Sequence, residues 1–115
     1  MEIRQSSQNG VVVLTLHGRL DELATGETEQ TLMAPVENGA ERIVLDLADV
    51  EYVSSSGMRV LVAFLRAVQG HGGALKLCAL SPFVAEVFEI SNLSRLFEIH
   101  PDQDAALHAF GDPAS

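Results

Sequence analysis

Arg42-Ile43-Val44-Leu45-Asp46-Leu47, followed after Ala48 to Val53 by Ser54-Ser55-Ser56-Gly57 and then by Met58 to Gln69, decides the architecture. The first run is aliphatic and β-branched, which predicts a buried strand, and the segment after Gly57 repeats apolar residues at helical spacing. Met58, Leu61, Val62, Leu65 and Val68 are expected on one inward face of that helix, with Arg59, Arg66 and Gln69 on another and Val60 and Phe64 as a second apolar edge, read as peripheral core in preference to a docking surface. A loop is expected over Ala48 to Ser54, the helix from Ser55 or Ser56 to Gln69, and a left-handed C-terminal cap at Gly70. His71-Gly72-Gly73 then turns into a strand over Ala74 to Ala79, so that strand, helix and strand make a parallel unit with a right-handed crossover.

Working toward the N-terminus, Val11 to Leu16 reads as an interior strand that ends at His17-Gly18, joined through the hairpin turn Gln8-Asn9-Gly10 to an antiparallel edge strand over residues 2 to 7. Between Leu23 and Asn38, Leu32, Met33 and Val36 share a helical face, but Pro35 lacks an N–H and clashes with the preceding turn, which predicts a kink or stop near Ala34. Toward the C-terminus, Ser81-Pro82 opens a helix that carries Val84, Val87 and Phe88 inward and ends near Ser91-Asn92. Leu96 to Ile99 follows as a short strand, and Asp102 caps a last helix holding Leu107 and Phe110. One α/β domain over residues 1–115 is expected, with its core from about residue 3 to 110, a central mixed and largely parallel sheet, about four helices, and a frayed tail over residues 111–115.

The chain has 115 residues, a formal net charge of −9 and 47% hydrophobic residues, enough to bury a core without disulfide or metal support. That charge disfavours nucleic acid and anionic membranes and suits a basic protein partner, or serves solubility alone. Cys78 is the single cysteine, so no internal disulfide can form; its aliphatic neighbours predict a buried, unreactive thiol in a reducing cytoplasm. Neither a leader segment nor a membrane-spanning apolar run is expected.

Three serines at a helix entrance have two readings. A serine hydroxyl there caps the unpaired N–H groups of the first turn, and a phosphate there gains from the same groups and from the helix dipole. The position is therefore a cap or a switch.

Other chemistries find little support. His17, His71, His100 and His108 lack ligand-like spacing to one another or to Cys78, and Asp46 and Asp49 are expected as solvated loop charges rather than a magnesium site. A hydrolase would need a nucleophile turn of the form Gly-x-Ser-x-Gly, but Val53 stands where the first glycine belongs. No phosphate-binding loop is present and no cofactor is expected.

The series Gly18-Arg19-Leu20-Asp21, Ile43 to Met58, Gly72 to Leu77, Leu80-Ser81-Pro82 and Ser91 to Phe97 resembles, in order and spacing, the STAS domain of bacterial anti-sigma factor antagonists. The resemblance runs from about Ile3 to Phe110. It implies a STAS fold and a cytoplasmic, non-enzymatic partner switch: the unphosphorylated antagonist binds an anti-sigma factor serine kinase, phosphorylation ends that binding, and a serine phosphatase restores it. Residue by residue it selects Ser55 as the acceptor, Ser56 as the second hydroxyl residue and Gly57 as the glycine. Asp21, Ser54, Ser55, Ser56, Gly57 and Arg59 are the implied partner-binding residues of a monomer with no direct contact to nucleic acid or membrane. Ser54 stands where the family has an acidic residue, which keeps open an alternative: a phosphorylation-independent scaffold or signalling-complex subunit.

Overall fold

In a computed structural model, which describes residues 1–111, five strands form one sheet in the order β1-β2-β3-β4-β5. These are β1 (Glu2–Gln8), β2 (Val11–Leu20), β3 (Arg42–Val53), β4 (Ala74–Cys78) and β5 (Glu98–His100). β1 and β2 pair antiparallel and the remaining neighbours are parallel. The hairpin is as the Asn-Gly signature predicts, with Asn9 and Gly10 both at positive φ. Four helices, α1 (Thr25–Glu37), α2 (Ser55–Gly70), α3 (Pro82–Ile90) and α4 (Gln103–Phe110), complete the α/β fold. The tail expected to fray lies, from residue 112 onward, outside the described residues.

Alternation along the strands sorts two cores. Leu14, Leu16, Ile43, Leu45, Leu47, Leu75 and Leu77 meet Leu32 and Val36 of α1, Leu61, Phe64 and Val68 of α2, and Val84 and Phe88 of α3. Val11, Val13, Val44 and Cys78 form the smaller cluster with Ala106, which brings in Leu107 and Phe110 of α4. Cys78 is fully buried in β4, and burial, aided by Asp46 and Asp102, pushes its thiol up to about 12.

Several boundaries differ from the sequence expectation. β2 does not end at His17-Gly18, and Ala48 to Val53 is strand rather than loop, because the two segments extend each other: His17 pairs with Asp49, Gly18 with Val50, Arg19 with Tyr52 and Leu20 with Val53, across two register shifts. Such irregularities add a residue and re-aim the strand without ending it. Asp46 is not a solvated loop charge; it is buried in β3 and accepts hydrogen bonds from Ala48 N (2.9 Å) and Gln103 Nε2 (2.9 Å).

α1 runs through Pro35 to Glu37 instead of stopping at Ala34. Pro35 stands in the last turn, where it removes one helical bond, while its ring and Val36 are buried and Asn38 N still reaches Ala34 O at 3.1 Å. Gly70 is the last residue of α2, not its left-handed cap. That conformation falls to Gly72 (φ 82°), with Gly72 N donating to Gln69 O and Gly73 N to Val68 O, the paired bonds of a Schellman ending. The final strand begins at Glu98 because Phe97 turns into the core against Phe88, with ring centroids 5.7 Å apart.

Candidate functional site

β2 and β3 end together, Leu20 opposite Val53, and the chain leaves the sheet at Ser54. Leu20 O accepts Ser54 N–H at 2.9 Å, which holds Ser54 in an extended conformation one residue before α2. Ser54 Oγ then accepts the Gly57 N–H at 3.0 Å, and Ser54 O accepts the Met58 N–H at 2.9 Å. Ser54 is 3% exposed. The cap of α2 is therefore Ser54. Ser55 is exposed at the first helical position and Ser56 is half-buried; within the described residues neither hydroxyl is engaged as a cap.

At Gly57 the first turn of α2 meets the end of β2. A Cβ there would lie 2.5 Å from Leu20 O and 2.7 Å from Leu20 Cγ, so only glycine lets the first turn approach this closely. The close approach also sets the rotation of the helix. Gly57, Val60, Leu61, Phe64, Leu65 and Val68 are its buried residues. Val60 and Phe64 are thus core residues and not a docking surface, as expected, while Met58 and Val62, expected inward, are only partly buried.

Their outer sides form a groove of about 450 Å³ between α2 and the turn after α3, lined by Ser55, Met58, Arg59, Val62, Ala63, Arg66, Ser91 and Leu93. Arg59 lies one turn after Ser55 and is exposed.

Asp21 follows Leu20 directly, so it stands at the same end of the sheet. Its Oδ1 accepts the Leu23 N–H at 3.1 Å and its other oxygen is 3.9 Å from Arg19 Nε. Arg19 lies over the Tyr52 ring, 4.6 Å from its centroid, and Tyr52 stacks on Phe83 at 6.3 Å. Leu23 is 96% exposed. The structure thus brings Ser54 to Gly57 together with Asp21 through Leu20, puts Arg59 on the groove side, and adds Arg19, Leu23, Tyr52 and Phe83, which the sequence reading did not select. The signal for Arg19 and Tyr52 was latent in the parallel ladder, where they are register partners.

The arrangement presents an exposed hydroxyl at a helix entrance. His71 Nδ1 lies against Ala67 O, His100 Nε2 against Glu98, and His108 Nδ1 against Asp104 O. Among the described residues, no group of three or more His, Cys, Asp or Glu side chains is placed to hold a metal ion, and no helix is long and apolar enough to cross a membrane.

Comparison with known proteins places this geometry in context. The family model described as "STAS domain" matches residues 2–106. The chain is 34% identical over 110 residues, 96% of its length and 95% of the relative's, to BtrV of Bordetella bronchiseptica, described as a candidate anti-sigma factor antagonist. The crystal structure of an anti-sigma factor antagonist from Mycobacterium paratuberculosis superposes with a TM-score of 0.87 at 26% identity, covering 96% of this chain and 94% of that one. The Bacillus cell fate determinant SpoIIAA, solved in its phosphorylated form, has the same fold, with a TM-score of 0.70 at 21% identity over 94% of this chain and 99% of the other.

Proposed function

The chain belongs to the STAS domain family, and on that premise we propose that it is an anti-sigma factor antagonist whose binding to an anti-sigma factor is switched by a phosphate on Ser55. The observation that carries this reading is the separation of cap from acceptor. Ser54 is buried and committed to Gly57 N–H, whereas Ser55 offers its hydroxyl to solvent. Modification of Ser55 leaves the cap intact, so the fold survives while the surface changes.

In the proposed cycle the anti-sigma factor is itself a serine kinase. Ser55 Oγ attacks the γ-phosphorus of its ATP, the bond to the ADP oxygen breaks, and the hydroxyl proton passes to a base on the kinase. Hydrolysis of the phosphoserine by a separate phosphatase returns the hydroxyl and inorganic phosphate. This chain supplies the acceptor and the docking surface and performs no catalysis. A phosphate adds about −1.5 to −2 charges and three strong acceptors at the helix entrance, where the dipole stabilises it by about 0.3–1 kcal/mol. The same charge opposes any carboxylate the partner brings.

Asp21, Ser54, Ser56, Gly57 and Arg59 complete the proposed contact surface around Ser55, on a monomer acting in the cytoplasm. Ser54 in place of the family's acid removes a charge, and in this chain it caps α2 as an Asp could, since Ser and Asp are comparable N-caps. The alternative of a constitutive scaffold rests on that lost charge. Incubation with the anti-sigma kinase and γ-labelled ATP separates the two: incorporation of one phosphate, abolished by Ser55→Ala and retained in Ser56→Ala, supports the switch. Absence of labelling with undiminished partner binding supports the scaffold.

A further inference from the structure

Arg59 and Arg66 stand two turns apart on α2, about 10 Å along its axis, and both line the groove whose floor is Met58, Val62, Ala63 and Leu93. The chain carries 16 Asp and Glu against 7 Lys and Arg, yet among the described residues neither arginine has a carboxylate within ion-pair distance. An apolar trench rimmed by two uncompensated guanidinium groups is an unusual feature on so acidic a protein. From Ser55 to Arg66 it follows α2 for about 16 Å, three turns of a helix.

Resting on the antagonist reading above, the geometry points to the occupant: an amphipathic helix of the partner, whose apolar ridge lies on Met58, Val62 and Leu93 and whose flanking Asp or Glu side chains pair with Arg59 and Arg66. The overall charge of −9 favours a basic partner at long range. Within the groove, however, the nearest charges decide, because others are screened over about 8 Å at physiological salt. The two preferences act at different distances and on different parts of one partner.

The same geometry supplies the off-state. Ser55 and Arg59 are four residues apart, so their side chains share a helix side. A phosphate on Ser55 pairs with Arg59, withdrawing it from the incoming carboxylate, and repels that carboxylate at the mouth of the groove.

The test uses the full chain, labelled with nitrogen-15, titrated with a synthetic three-turn amphipathic peptide carrying a leucine stripe flanked by glutamates, and with its twin carrying lysines instead. The glutamate peptide is expected to shift the amides of Met58, Arg59, Val62, Ala63, Arg66 and Leu93 and to bind about tenfold more tightly than the lysine twin. Arg59→Glu/Arg66→Glu is expected to reverse that order. Both side chains are exposed, and Arg59→Gln/Arg66→Gln provides a milder variant expected to abolish the preference. Equal binding of the two peptides, shifts confined to another surface, or groove shifts produced by concentrating the chain alone, which would mark a second copy as occupant, would each overturn the proposal. Undiminished binding of the anti-sigma factor by the Arg59→Glu/Arg66→Glu variant would overturn it too, while leaving the antagonist reading standing.

Discussion

The carbonyl oxygen of Leu20 occupies the space that a side chain on Gly57 would need, 2.5 Å from where its Cβ would sit. The end of β2 is thereby locked to the first turn of α2, and the same oxygen accepts the Ser54 N–H at 2.9 Å. The obstructing atom is backbone, so a methyl group cannot be accommodated by a rotamer change. Gly57→Ala is expected to destabilise the fold by about 1–3 kcal/mol, measured by urea denaturation, and to tilt the helix entrance away from Leu20. A midpoint unchanged from the parent would show that the approach is not required.

The three serines are expected to separate by stability. Ser54→Ala removes the buried cap and should cost about 1 kcal/mol, Ser54→Asp should restore most of it, and Ser55→Ala should fall within about 0.5 kcal/mol of the parent. Thermal denaturation of the three variants provides the comparison. A larger loss from Ser55→Ala than from Ser54→Ala would mean the cap has been assigned to the wrong residue.

Cys78 should resist thiol reagents in the native protein at about pH 8 and react once guanidinium unfolds it, since burial removes both access and thiolate. Its folded pKa is raised from 9.0 to about 12, so its contribution to stability is constant below pH 9.0 and lost as the pH rises toward 12. Rapid native labelling would contradict the packing of β4 against α4.

On the α4 side of the sheet, Glu98 accepts hydrogen bonds from the Lys76 ammonium and from His100 Nε2, Lys76 is buried, and the Phe110 ring lies over its Nζ at 4.6 Å. The Lys76 bond first, and the His100 bond second, hold the Glu98 carboxyl below its ordinary 4.5. A lowered folded pKa stabilises the fold above pH 4.5, and that contribution disappears as the pH falls through the lowered value. The Glu98 side chain is half exposed, so the effect is under about 1 kcal/mol. Urea denaturation at about pH 7 and about pH 3 should show a smaller acid loss for Glu98→Gln than for the parent; equal losses would remove Glu98 from the acid response.

The order of strands and helices was legible because each has a strong local period: Val11 to Leu16, Arg42 to Leu47 and the apolar repeat of α2 announce themselves without their neighbours. The strand ends were not. Ala48, Asp49 and Glu51 look like loop residues until His17 to Leu20 pair with that segment, and a pairing across two register shifts leaves no local pattern. Which serine caps α2 depends on where β3 ends, so that answer waited on the Leu20 carbonyl. The rotation of α2 differs from the sequence expectation for a related reason. A stripe starting at Gly57 predicts Val60, Leu61, Phe64, Leu65 and Val68 as core, whereas starting at Met58 turns the helix and hides the exposed sides of Met58 and Val62.

The central claim is tested most directly by measuring the affinity of the chain for its anti-sigma factor before and after stoichiometric phosphorylation at Ser55, by isothermal titration calorimetry. Phosphorylation is expected to weaken binding by about 100-fold or more while leaving the far-ultraviolet circular dichroism unchanged. An affinity unaltered by full phosphorylation of Ser55 would contradict the switch and favour the constitutive scaffold.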